Sequence, residues 1–234
     1  MKDSLEALES LSNARWYNKW LIRRFSKYLS GEILEVGCGI GNFSRLLSKY
    51  GKVHATDINR GYLKRIKKDL RPLEHNHITV GFGDIERNSF SFKSGRKFHS
   101  IVCLNVLEHL KNDQKSLKNL YSFLKPEGFL ILLVPADKIL FGKIDEAVFH
   151  YRRYGKSELK SLVGSEGFQI LSLKKLNFLG GLGWFFFGKI LESKRISKSK
   201  VSLYSKLAPF FLWFEKFIEP PIGTSLLLIA RKQK

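Results

Sequence analysis

The chain has 234 residues, 44% hydrophobic and 26% charged, which suits one large globular domain and excludes a disordered or fibrous protein. Its net charge of +20 favours anionic partners, either nucleic acid or anionic lipid, and says nothing of fold. The two cysteines, Cys38 and Cys103, form no disulfide framework; no secretory pattern is present, and no apolar run reaches the roughly 18 residues that span a bilayer, so a reduced, cytoplasmic protein is expected.

Leu5, Leu8, Leu11, Trp16, Trp20 and Phe25 recur at helical spacing from Asp3 to Tyr28, and Ser30-Gly31 ends that helix. Residues 32–36 form a β-type run stopped by Gly37. A helix over 42–50, a strand over 52–56 and a helix over 59–70 follow, the last ending before Pro72. Strands are predicted at 77–82 and 98–104, and a helix over 113–124 ends at the Pro126-Glu127-Gly128 turn. The nearly all-apolar run 129–134 reads as a strand covered on both faces. A helix over 155–165 and two closing strands, 168–176 and 225–232, complete the series. Strands alternating with helices at this rhythm give an α/β fold with a doubly wound, mostly parallel sheet and ligands at the strands' carboxyl ends.

The first strand runs into Glu35-Val36-Gly37-Cys38-Gly39-Ile40-Gly41-Asn42. Alternate glycines between a strand and a helix permit a tight turn and close approach of backbone to a ligand. Asn42 stands where a dinucleotide fingerprint needs Gly or Ala, so E-x-G-x-G-x-G is the better description. Asp57 ends the second strand about 20 residues on, where a carboxylate accepts ribose hydroxyls. Asp84 follows the third strand. Each acid alone could be a turn or cap residue; their joint placement at strand ends points to a nucleotide cofactor.

This pattern resembles motif I of the class I S-adenosylmethionine-dependent methyltransferases, in their ubiquinone/menaquinone-methyltransferase-like small-molecule branch. Asn105-Val106-Leu107-Glu108-His109 resembles that family's motif IV, and Lys125-Pro126-Glu127-Gly128-Phe129 its L-K-P-G-G turn. The resemblance is close over residues 31–135. It implies a Rossmann-like seven-stranded sheet with an antiparallel last strand, an N-terminal helix and a helical insertion before that strand. It implies S-adenosyl-L-methionine as cofactor, S-adenosyl-L-homocysteine as product, and cofactor contacts from Glu35, Gly37, Cys38, Gly39, Gly41, Asp57, Ile58, Asp84, Ile85, Asn105 and Val106. Tyr17, on a helix that folds over the cofactor in this family, is a further expected contact. Within a single domain, residues 1–30 are the expected cap, 31–135 the cofactor core, 136–178 the substrate side, 179–223 the insertion and 224–234 the last strand.

Methyl transfer from a sulfonium needs an in-line, dry geometry, and a general base only when the acceptor must lose a proton. The segment Asp145-Glu146-Ala147-Val148-Phe149-His150-Tyr151-Arg152-Arg153-Tyr154 is the candidate acceptor site. His150 is the expected base. His109, Tyr151, Arg152, Arg153 and Trp184 are expected to bind substrate, the arginines through a phosphate or carboxylate. The alternative is that Arg152, Arg153 and the tyrosines pin the loop. No histidine or cysteine spacing suggests a metal, and none is expected.

The insertion joins an apolar stretch, Gly180–Leu191, to Lys194, Arg195, Lys198, Lys200 and Lys206, then to the aromatic run 207–218. Such a composition suits a peripheral element on an anionic membrane, on the inner face of the cell membrane, and a small-molecule or lipid-linked acceptor methylated at O or C. An internal lid or dimer contact, an RNA or protein methyltransferase, and a non-catalytic membrane-associated binding module are the alternatives. Nucleic acid is the less favoured partner.

Overall fold

A computed structural model describes residues 15–186, 208–215 and 217–233. The expected helix before Arg15 and the lysine-rich run from Lys194 to Lys206 lie outside the described residues. Helix α1 (Arg15–Phe25) leads into β1 (Glu32–Val36), α2 (Ser44–Leu47), β2 (Lys52–Asp57), α3 (Arg60–Asp69) and β3 (Ile78–Asp84). Then come β4 (Ser89–Phe90), β5 (Phe98–Leu104), α4 (Asp113–Phe123), β6 (Leu124–Pro135), α5 (Lys143–Ala147) and α6 (Lys156–Ser165). The chain closes with β7 (Phe168–Leu176), α7 (Phe178–Trp184), a helix over residues 208–214 and β8 (Ser225–Lys232).

The strands form one sheet in the order β4-β3-β2-β1-β5-β6-β8-β7. The pairs from β3 to β6 are parallel, and β8 runs antiparallel between β6 and β7. Alternate residues of the central strands feed two apolar layers, as period-2 geometry requires. Leu34, Ile101, Leu130 and Leu132 pack with Leu117, Leu120 and Leu159 of α4 and α6. Ile33, Val102, Ile131 and Leu133 pack with Leu21, Phe25, Leu63 and Ile66 of α1 and α3. The order reverses at β1 and β5, so their carboxyl ends open a crevice between crossovers on opposite faces.

Three local features depart from the sequence reading. A two-residue β4 joins the sheet as an eighth strand, paired to Gly83 and Asp84; it is too short to carry a periodic signal. Helical hydrogen bonding near 42–50 is confined to Ser44–Leu47, with turns on either side. Strand β6 begins at Leu124, because the Pro126-Glu127-Gly128 turn is a bulge inside it. Phe98 pairs with Leu124 and Ser100 with Phe129, while Glu127 takes φ 62°. A Cβ on Gly128 would lie 2.9 Å from the Lys125 carbonyl oxygen, so the bulge needs glycine there.

Among the described residues no helix is long and apolar enough to cross a membrane. The helix over 208–214 is tied to the body from two sides. Arg24 donates to the Leu212 carbonyl at 3.2 Å, and the buried Glu215 carboxylate accepts the backbone N–H groups of Asn177 and Phe178 at 2.8 and 2.7 Å. Glu215→Ala removes the acceptor for both amides. It is expected to lower the unfolding free energy by about 1–3 kcal/mol, the scale for an unmade buried hydrogen bond, in urea titration.

Candidate active site

The glycine turn is tied to β2. The Gly37 and Cys38 N–H groups both donate to the Thr56 carbonyl, at 2.8 and 2.9 Å, and Gly39 N–H donates to Asp57 Oδ2 at 2.8 Å. Asp57 Oδ1 accepts Asn59 N–H at 2.8 Å. Gly37, Gly39 and Gly41 take φ of 72°, 54° and 85°, the left-handed region that glycine enters at no steric cost. A Cβ on Gly37 would lie 2.2 Å from Val106 Cγ2, so the turn after β1 and the turn after β5 interlock. Asn105, also left-handed at φ 54°, is exposed and is held by its N–H to the Leu133 carbonyl.

Two acids converge under this turn. Glu35 is buried and accepts the Ser44 hydroxyl at 2.5 Å; burial, with Asp57 nearby, pushes its carboxyl up to about 8. Burial also raises Asp57, against the backbone N–H groups it accepts. Burial raises the Cys38 thiol, so it is a packing group and no nucleophile. Buried acids beside a glycine turn that is exposed at Gly37 suit a ligand with a cationic head and ribose hydroxyls, as S-adenosylmethionine has. Ile58, 66% exposed next to Asp57, offers apolar surface at the same edge.

Asp84 Oδ1 caps the Arg87 N–H at 3.0 Å. Ile85, an expected cofactor contact, is turned into the core between sheet and α4 and is 3% exposed. The Asn119 side chain donates to its carbonyl, fixing it there.

The second half of the site comes from the loop after α5. Tyr151 N–H donates to the Glu108 carbonyl at 2.9 Å, and Tyr154 is bridged to Ala136, so this loop lies against the turn after β5. That places His109 and His150 ring to ring, centroids 4.8 Å apart. Tyr151 is half exposed. His150 Nδ1 bonds Asp145 Oδ1 at 2.9 Å, and His109 Nδ1 bonds the Phe149 carbonyl at 3.2 Å. Burial and the neighbouring His150 lower His109, keeping it neutral.

Both arginines, expected to bind substrate, are engaged by groups of the protein itself. Arg153 is 3% exposed; its guanidinium donates to Asp145 Oδ1 and the Ala136 carbonyl and lies 4.8 Å from the Trp184 ring centroid. Arg152 pairs with Asp113 at 2.8 Å and donates to the Lys111 carbonyl. Both pin the loop, the alternative reading of the segment. Trp184 donates its indole N–H to Asp145 Oδ2 at 3.2 Å. Tyr17 stacks on Trp20 and bonds the Asn177 side chain, at the start of α7. Sequence reasoning missed Asp145 and Glu108 as the acids of this half. Asp145 sits on α5, five residues before His150 in the loop that follows, a spacing without periodic meaning across a helix end.

A family profile described as "Methyltransferase domain" matches residues 34–130, the span from β1 into β6. The ubiquinone biosynthesis O-methyltransferase of Rickettsia canadensis is 25% identical over 210 residues, covering 75% of this chain and 86% of that protein. Among solved structures, the S-adenosylmethionine-dependent methyltransferase from Mesorhizobium loti superposes with a TM-score of 0.60 at 13% identity, covering 88% of this chain and 93% of that one. The N-methyltransferase NodS from Bradyrhizobium japonicum, in complex with S-adenosyl-L-homocysteine, gives 0.58 at 15% identity, covering 95% and 88%. Fold and glycine-turn site thus define a Rossmann-like α/β methyltransferase. The chain is a class I S-adenosylmethionine-dependent methyltransferase, an enzyme with S-adenosyl-L-methionine as its cofactor.

Glu35 holds its proton more tightly when folded than when unfolded. Its contribution to stability is complete below the ordinary carboxylate range, falls as pH rises, and is gone above about 8. Denaturation midpoints are therefore expected to fall between about pH 5 and about pH 8.5, and Glu35→Gln to flatten the slope.

Proposed function

We propose that the enzyme methylates a small-molecule or lipid-linked acceptor, at oxygen or carbon in preference to nitrogen. When bound, S-adenosylmethionine supplies a methyl group already activated on a sulfonium. Glu35 and the Gly37–Gly41 turn would hold its cationic head, Asp57 its ribose hydroxyls through lone pairs not used by the loop, and Asn105 and Val106 the adjoining wall. The acceptor would enter between that wall and the His109–His150 pair. His150 Nδ1 is committed to Asp145 as a donor, so its Nε2 lone pair is the atom that takes a proton from an acceptor hydroxyl.

The observation that carries an amphiphilic acceptor is a continuous aromatic surface. Phe210, Trp213, Phe214 and Phe217 contact one another at centroid separations of 5.0–5.3 Å, and each is about half exposed or more. With Ile218 they make an apolar patch on a strongly basic protein, the combination an anionic membrane surface selects. The O-methyltransferase named above supports oxygen as the methylated atom.

Calorimetry should show micromolar binding of S-adenosylmethionine, weakened about 5- to 150-fold by Asp57→Ala, the equivalent of about 1–3 kcal/mol. Folded protein that binds neither the cofactor nor its demethylated product would sink this reading. On a hydroxyl acceptor, His150→Ala should lower kcat by about 10²–10⁴-fold without changing cofactor affinity. Vesicles containing anionic phospholipid should carry the protein upward in a flotation gradient, and Trp213→Ser with Phe217→Ser should release it. RNA retained through purification with steep salt dependence would favour a polynucleotide acceptor instead.

A further inference from the structure

Glu108 sits on the turn after β5, wholly buried, and neither carboxylate oxygen has a hydrogen-bond partner among the described residues. A buried carboxylate left this way is costly, and such a group needs an explanation. The nearest basic atom is His150 Nε2, 3.8 Å from Oε1, too far for a hydrogen bond. His109 lies beside it: one ligand atom from each of Glu108, His109 and His150 falls within 4.8 Å of the others.

Both imidazoles are fixed from behind. A carbonyl oxygen only accepts, so His109 Nδ1 is the protonated nitrogen facing Phe149, and its Nε2 keeps a lone pair. His150 is held in the same tautomer by the Asp145 carboxylate. A carboxylate or carbonyl behind each ring, orienting it and raising its basicity, is the arrangement around metal-bound histidines. The Phe149 carbonyl is aimed by a strained backbone, φ 63°, although the Phe149 ring is 66% exposed and gains little by it. Strain of this kind gathers where a site requires it.

We propose that Glu108, His109 and His150 form a binding site for one divalent transition-metal cation. Two imidazole nitrogens and one carboxylate suit Zn²⁺, Co²⁺ or Fe²⁺ better than Mg²⁺ or Ca²⁺, which prefer oxygen donors. Three protein ligands leave a coordination position open, and exposed His109 puts it towards the acceptor side. Ligand atoms around zinc stand about 3.4 Å apart, so Glu108 and His150 need little movement and His109 a small side-chain rotation. The sequence did not show this site because His150 comes from a different loop than Glu108 and His109.

The proposal goes beyond the methyltransfer reading and changes one residue's part in it. With a cation bound, His150 Nε2 is a ligand and no longer a base; a hydroxyl acceptor coordinated at the open position would then lose its proton to water more readily.

The test uses the full-length, untagged protein, stripped with chelator and titrated with Co²⁺ and Zn²⁺, with S-adenosylmethionine calorimetry on the same sample. We expect one equivalent bound, visible absorption of four-coordinate Co²⁺, and at least tenfold weaker binding in Glu108→Gln and in His109→Ala, the latter at an exposed position. Affinity unchanged in both variants would overturn the site as surface binding. No cation binding by protein that binds S-adenosylmethionine would also overturn it, leaving His150 as a free base. Cation binding with these losses but without cofactor binding would uphold the site and strike the methyltransfer reading alone.

Discussion

Everything at the ligand edge hangs on how the glycine turn is fastened to β2. Two backbone N–H groups on the Thr56 carbonyl and one on the Asp57 carboxylate stop the turn from relaxing into solvent. Because Val106 fills the space a side chain on Gly37 would need, the same fastening sets the turn after β5. That turn carries Glu108, whose carbonyl holds Tyr151 and with it the loop bearing His150. One chain of contacts thus runs from the glycine turn to the His109–His150 pair, and a shift at Gly39 would be felt at His150.

A basic protein has little difficulty pairing its surface acids; its buried acids are the informative ones. Asp145 is fully buried and accepts Trp184 as well as His150 and Arg153; the last two hold its carboxyl below the usual range despite burial. Glu108 is pushed up to about 8 by burial. Glu35 is raised by the same cause. The fold stabilises one acid with a hydrogen-bonded internal cation and leaves two others without one, both at the crevice. Folding does not require an acid at either position; ligand binding gives a physical reason for each.

The aromatic segment is wired into this arrangement and also stands outside it. Glu215 and Arg24 bind the 208–214 helix to α1 and to the start of α7, and Trp184 at the end of α7 reaches Asp145. The rings of Phe210, Trp213 and Phe217 are exposed among the described residues.

The sequence by itself determined the strands, their order of appearance and the cofactor edge, because these depend on local signals: runs of β-branched and apolar residues, glycines that permit left-handed turns, acids at strand ends. Strands β1, β5, β7 and β8 begin and end where the pattern placed them. What only the tertiary structure decided are relations between residues far apart in the chain. Arg153 turned inward to Asp145 because the Ala136 carbonyl and Trp184 close over it. Ile85 went to the core because α4 packs across it. His109 met His150 because two loops cross at one sheet edge, and no periodicity records a crossing.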